Sequence, residues 1–130
     1  MPHINIKKGH NIRIAGKPKK EIIDINHPAT LAILPTDFKG VKPKLIVNQG
    51  DEVKIGSPLF FDKTKPDVKW ASPGSGKINN IEYGPRRVIQ NIEILLDNKQ
   101  EYIEYKSADI KNMDRSKVLT MILEANIFPI

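Results

Sequence analysis

Val47-Asn-Gln-Gly50-Asp51-Glu-Val53-Lys-Ile-Gly56-Ser-Pro-Leu59 is the stretch on which the fold turns. Its glycines stand six residues apart, an apolar residue precedes each by three, and Leu59 follows the second by three. Glycine reaches positive φ without a Cβ clash, so the spacing reads as very short strands joined by tight turns. A looser copy follows: Gly76-x-Ile78-x-x-Ile81-x-x-Gly84-x-x-Arg87-Val88. The two copies should be related by a local pseudo-twofold. At least two of Gly50, Gly56 and Gly84 should have positive φ, and Ser72-Pro73-Gly74-Ser75-Gly76 should form the turn that enters the second half.

Around this repeat the turn signals stay dense. Leu45–Val47, Ser57–Asp62, Val68–Ala71, Lys77–Ile81 and Arg87–Leu96 read as strands, with Glu52–Lys54 extended. Residues 63–67 read as a hairpin loop, because Pro and Asp set turn geometry. In the longest strand Val88, Ile92, Ile94 and Leu96 fall on one alternating face. Asp97–Lys99 with Tyr102–Tyr105 suggests a last hairpin. Upstream, the alternation of Ile4, Ile6, Ile12 and Ile14 suggests an N-terminal β arm, and Leu31–Leu34 a short buried strand. Downstream the period changes: Val118, Leu119, Ile122 and Leu123 share a helical face, with Asp114 placed to cap the start and Asn126 to close the end. The expected organisation is an arm and connecting strands over 1–40, a β core over 41–97, and a closing hairpin and helix over 98–130. The apolar ending Ile127–Ile130 reads as a passage into domains beyond this chain.

Composition narrows the function. The chain has 130 residues, 39% apolar and 28% charged, enough for one cored domain. No apolar run approaches the ~20 residues of a membrane span, and the start has no apolar segment of the secretory kind. A cytoplasmic setting is expected. With no Cys, thiolate nucleophiles, Cys-ligated zinc and iron–sulfur clusters are excluded from the chain. The net charge of +6 comes mostly from dispersed lysines, and aromatics are 6% of residues, so a nucleic-acid platform is not expected. His3, His10 and His27 lack metal-ligand spacing. Asp51 and Glu52 are adjacent on an extended segment and point apart, which argues against a carboxylate dyad. Asp62 and Asp67 flank an exposed loop and read as solvated. Trp70 reads as an interface anchor or a packing residue.

Two halves around a hairpin resemble the barrel-sandwich hybrid of biotinyl and lipoyl carrier domains. In those domains the hairpin displays a modified Lys. Here Asp62-Lys63 has the lipoyl dipeptide, while Lys65 has the spacing to the Ser-Pro turn. Lys63 and Lys65 are therefore the lipoyl-type acceptors to consider, against the simpler reading of solvated hairpin lysines.

A resemblance over nearly the whole chain is to the start of the A-subunit of the Na+-translocating NADH:quinone reductase. It rests on Lys7-Lys8-Gly9, Ile14-Ala15-Gly16, Pro43-x-Leu45-x-Val47, Gly50-Asp51-x-Val53-Lys54-x-Gly56, Leu59-Phe60-x-Asp62-Lys63, Ala71-x-Pro73-x-Ser75-Gly76 and Gly84-x-x-Arg87-Val88-x-Gln90. Leu123-Glu124-Ala125-Asn126-Ile127-Phe128 is similar to that family's Leu-x-x-Gly-Leu-Trp ending, with Asn126 at the Gly. The C-subunit of the Rnf electron-transport complex shares the domain type and is the alternative, as is a lipoyl or biotinyl carrier.

The resemblance implies a barrel-sandwich hybrid, mainly β, with an N-terminal β arm and a C-terminal helix. It implies a non-catalytic docking domain of a peripheral subunit on the cytoplasmic face of the bacterial inner membrane. The complex would couple electron transfer from NADH, through flavins and an iron–sulfur centre, to ubiquinone with Na+ export. No catalytic residue, cofactor or metal is assigned to this chain. Its partners would be other subunits, above all the neighbouring membrane subunit, with ubiquinone at the full-length protein. The candidate interface residues are Arg86, Arg87 and Trp70, and Gly50, Gly56, Pro73, Gly76 and Gly84 are structural turns. If Arg86 and Arg87 lie on a strand, one at most can face a partner.

Overall fold

The computed structural model describes Lys8, Gly9, Ile12, Arg13 and residues 15–128. The proposed N-terminal alternation, His3 and His10 therefore lie largely outside the described residues, where Ile12 is exposed. Seven strands follow: β1 (Thr30–Ile33), β2 (Pro43–Leu45), β3 (Glu52–Val53), β4 (Pro58–Asp62), β5 (Lys65–Ala71), β6 (Gly76–Tyr83) and β7 (Ile89–Leu96). A single α-helix of the described residues, α1 (Arg115–Glu124), comes last. The strands form two antiparallel sheets, ordered β1-β7-β6-β3 and β2-β4-β5. Val53, Ile78, Ile89, Ile92 and Ile94 from the first pack with Leu59 and Phe60 from the second, and Val47 joins them from the loop after β2.

Bulges explain apolar spacings that simple alternation misreads. Ile78 and Ile81 are three apart and would face opposite ways on a regular strand. In β6 the register skips Asn79, between Ile78↔Ile94 and Asn80↔Glu93, and Ile81 is turned back onto the core. The partner strand does the same at Gln90, between Glu82↔Asn91 and Tyr83↔Ile89. Ile89 is consequently buried and Val88 exposed, which corrects the expected Val88–Leu96 face and the strand start at Arg87. In β4 the register skips Leu59, and both Leu59 and Phe60 are 0% exposed.

The expected hairpin loop at 63–67 is also shorter. Asp62 pairs with Lys65 across a two-residue turn, and 66–68 bulge out of edge strand β5, where Pro66 needs no ladder hydrogen bond. Gly50 and Gly56 have φ of +95° and +93°, whereas Gly84 is extended at −90°. The Gly50 N–H donates to the Ile78 carbonyl and Ile78 N–H to the Asp51 carbonyl, so this turn is stitched to β6.

The segment after β7 forms no hairpin. Ser75, buried in the turn before β6, donates its hydroxyl to Asp97 Oδ1 (2.7 Å) and accepts the Glu101 N–H (3.0 Å). Asn98 and Gln100 take left-handed φ, and the chain crosses to Ile55, which Tyr102 meets in a parallel bridge. The capture of this loop by Ser75 replaces pairing with β7. Asp114 stands at the N-cap of α1, but its carboxylate takes the Ser116 hydroxyl and no backbone N–H of the first turn. The helix ends in a Schellman motif: Ile127 N–H bonds to the Ile122 carbonyl, Asn126 N–H to that of Leu123, and Asn126 has φ +57°. The Asn126 amide also donates to the Gly56 carbonyl at 3.1 Å, fixing the helix end on the repeat turn. None of the four expected apolar residues of α1 is fully buried, and Leu119 is exposed. The helix contacts β5, the edge strand of the three-stranded sheet.

Candidate docking surfaces

The β6–β7 loop is built by Gly84–Val88. Gly84 N–H and Val88 carbonyl close it at 2.8 Å, and Arg87 N–H donates to the Gly84 carbonyl at 3.1 Å. Arg86 and Arg87 both lie in the left-handed region, with φ of 56° and 58°. For an L-residue with a Cβ this costs roughly 1–2 kcal/mol each relative to ordinary geometry. The expectation that they alternate along a strand is therefore corrected: they are the two central residues of a tight turn whose Val88 N–H bonds to the Pro85 carbonyl, and both are exposed.

Arg87 reaches a groove of about 540 Å³ between the two sheets. One wall is Pro43–Gln49, which contains β2; the other is Ile81, Tyr83, Arg87 and Ile89. Lys44 and Lys63 line it too, and no Asp or Glu among the described residues does. None of Lys44, Lys63 and Arg87 is in an ion pair with another described residue. Lys44 lies over the Phe61 ring, 5.7 Å from its centroid. The structure thus brings together Lys63 and Arg87, remote in sequence, and adds Lys44, which sequence reasoning missed. The available signal was the alternation Lys42-Pro43-Lys44-Leu45, which puts one lysine per turn of the pleat beside an apolar strand.

Arg86, Lys65 and Trp70 do not line this groove. Trp70 stacks on Phe60 with ring centroids 5.0 Å apart and planes 5° from parallel, and Phe38 tilts against both. It is half-buried at the rim of the core. Pro73 is exposed, while Gly74, Ser75 and Gly76 beside it are buried. A Cβ on Gly76 would stand 2.0 Å from the Leu95 carbonyl oxygen. A side chain at either glycine would run into β7, and at Gly74 into Leu31 of β1 as well.

Asp62 corrects another expectation. It is 7% exposed, not solvated. It accepts the Thr64 hydroxyl (2.7 Å), the Thr64 N–H (3.0 Å) and the Lys42 N–H (3.2 Å). The Thr64 hydroxyl, followed by the Thr64 N–H, holds its carboxyl below the usual range, against the opposing effect of burial. It clamps the Lys63-Thr64 turn and the approach to β2, and so sets the lysine side of the groove. Asp97 is lowered likewise, first by the Ser75 hydroxyl and then by the Lys99 N–H. His27 is exposed, 3.4 Å from the Gln100 amide. Among the described residues no three His, Cys, Asp or Glu cluster as metal ligands, and no helix is long and apolar enough to cross a membrane.

A second surface is apolar. A groove of about 520 Å³ beside α1 is lined chiefly by Tyr105, Ile110, Met113, Val118, Met121 and Ile122. Ile127 reaches it from the helix end.

Two short, bulged antiparallel sheets curled around one core, entered by glycine turns, define a mainly β domain of the barrel-sandwich hybrid class. The chain belongs to the family described as the NqrA N-terminal barrel-sandwich hybrid domain, whose model matches residues 4–97. Among curated relatives it is 35% identical over 127 residues to the A-subunit of the Na(+)-translocating NADH-quinone reductase of Vibrio vulnificus (strain YJ016), covering 96% of this chain. It is 33% identical over 125 residues to that of Marinomonas sp. (strain MWYL1), covering 95% of this chain. With that of Pseudomonas aeruginosa (strain UCBPP-PA14) it shares 32% identity over 127 residues, 96% of this chain. The chain spans 28% of the length of each of these relatives.

Proposed function

We propose that this domain supplies binding surface, not chemistry, to a Na+-translocating NADH:quinone reductase, as the N-terminal docking domain of its A-subunit. The observation that carries this reading is the match over 96% of the chain to A-subunit relatives. The surfaces agree with it: one cationic groove and one apolar groove, each open and without clustered catalytic groups among the described residues. The peripheral, cytoplasmic-face placement and the partnership with a membrane subunit belong to this proposal. So does inactivity of the isolated chain.

The redox groups of such a complex do not fit these residues. There is no thiolate for an iron–sulfur cluster, and the glycine turn before β6 leads into a strand and not into the helix N-terminus that a nucleotide phosphate loop requires. The domain's contribution is then assembly and orientation. Deleting residues 1–130 from a full-length protein that carries this domain should abolish its co-purification with the other subunits. It should also abolish NADH-driven quinone reduction. Normal assembly and turnover after deletion would refute the proposal.

The carrier reading keeps one geometrical point in its favour, because Lys63 is the first residue of a tight two-residue turn. Intact mass of protein from its native host tests it: a lipoyl- or biotinyl-sized increment supports it, and an unmodified mass removes Lys63 and Lys65 as acceptors.

A further inference from the structure

The cationic groove is bounded by two strand edges that no described strand pairs. β2 ends its sheet, with β4 on one side and no described strand on the other. Ile46 N–H bonds to the Leu59 carbonyl and Lys63 N–H to the Lys42 carbonyl, so the even-numbered residues turn their backbone groups toward β4. By the alternation of an antiparallel ladder, Pro43, Leu45 and Val47 turn theirs the other way, along the groove, Pro43 with a carbonyl only and Leu45 and Val47 with both a donor and an acceptor. Across it, β6 pairs with β3 at Gly76 and Lys77 alone, which leaves the outer edge of residues 80–83 without a described strand. A row of free donors and acceptors is a template for strand addition. Leu45, Val47, Ile81 and Ile89 form the floor of the same groove, Val47 and Ile89 with most of their side chains in the core, and Lys44, Lys63 and Arg87 stand around it.

We propose that this groove receives an extended acidic segment of a partner protein, alternating Asp or Glu with apolar residues, which adds as a strand along the outer edge of β2. Resting on the docking reading above, the proposal names the surface and the partner's chemistry. Backbone pairing supplies the geometry, the apolar residues face the walls, and the carboxylates meet the three cations. Charge complementarity selects this occupant. The chain's own N-terminal segment carries His3, Lys7 and Lys8 and no acid before Glu21, so its sequence lacks the charge complementary to the three cations. A membrane surface is a poorer fit, since lipid-binding patches cluster four to eight cations beside a helix or span. The left-handed Arg86–Arg87 turn holds Arg87 at the groove mouth, and such outliers concentrate at binding sites.

The probe is the peptide Ac-Ser-Glu-Val-Asp-Val-Glu-Ser-amide, titrated into the isotopically labelled 130-residue chain and followed by amide NMR shifts. Three controls accompany it: a version with Lys for each acid, a version N-methylated at alternate residues, and phosphatidylserine vesicles. The expected result is saturable binding, shifts confined to 43–49, 63 and 81–89, and loss of binding with either altered peptide. Lys44→Glu, Lys63→Glu and Arg87→Glu should each weaken it about ten-fold, and added salt should weaken it further. Equal binding of the Lys version, absence of binding, or preference for vesicles would overturn the proposal. Binding that requires removal of residues 1–7 would do so too, by showing that the groove is filled from within. The deletion experiment above makes no reference to the groove. Lost assembly on deletion with no peptide binding therefore rejects this groove while leaving the docking role intact.

Discussion

Gly76 and Gly50 both carry positive φ, yet their surroundings separate them. At Gly76 (φ +148°) a Cβ would collide with the backbone of Leu95, which cannot move without breaking the β6–β7 ladder. At Gly50 (φ +95°) the nearest atom is the mobile Lys77 Cε at 3.8 Å. Gly76→Ala should cost at least about 3 kcal/mol in urea unfolding, and Gly50→Ala about 1 kcal/mol, from backbone strain alone. A similar cost for both would show that the clash is relaxed. Arg86 is the opposite case, a side chain where the backbone favours glycine. Arg86→Gly should stabilise by about 0.5 kcal/mol, since relief of left-handed strain exceeds the entropy glycine adds. The lowered carboxyls of Asp62 and Asp97 give stability that is present above the unfolded-state value near ~3.9 and lost as pH falls through the lower folded values. Unfolding between pH 5 and pH 2.5 should show this loss, and Asp62→Asn with Asp97→Asn should flatten it. An unchanged slope would mean that these hydrogen bonds do not persist in solution.

The elements differ in how much they hold together. β4 is central to its sheet, and Phe60 meets Leu45 on one neighbour and Trp70 on the other. Trp70→Ala should cost about 3 kcal/mol by emptying one side of the aromatic cluster. That loss should be visible in the isolated chain. A Trp70→Ala variant of normal stability but failed assembly would instead make Trp70 an interface anchor. Helix α1 sits at the other extreme. Leu119 is exposed, so Leu119→Ala should change stability by less than ~0.5 kcal/mol, whereas half-buried Ile122→Ala should cost about 1–2 kcal/mol. The bulges at Asn79 and Gln90 are what let isoleucines three apart serve one core. A deletion of Asn79 would leave Ile78 and Ile81 two apart, on one face of a regular strand, so cooperative unfolding should survive it, and loss of cooperativity would show that the bulge does more than set the facing of Ile81.

At the scale of the molecule, the isolated chain should unfold as one cooperative unit and should bind neither NADH nor flavin. Saturable quenching of flavin fluorescence by the purified domain would contradict that. Much of the architecture was legible along the chain because it depends on local chemistry. Glycine spacing marked the turns at Gly50 and Gly56, alternating Ile and Val marked the β core, and the change of period with Asn126 marked the helix and its end. The surfaces were not legible, because they depend on what lies opposite. A bulge is one unpaired residue, visible only against a partner strand; the one at Gln90 decided that Ile89 and not Val88 is inside, and the one at Asn79 that Ile81 faces the core. Ser75 looked like a turn residue until its partners Asp97 and Glu101 were in place, and Asp62 looked solvated until Thr64 and Lys42 closed over it. Lys44, Lys63 and Arg87 are spread over 44 positions of chain. Only the meeting of β2, the β4–β5 turn and the β6–β7 loop made them one groove, because side-chain proximity across sheets is set by register and twist, which no single segment encodes.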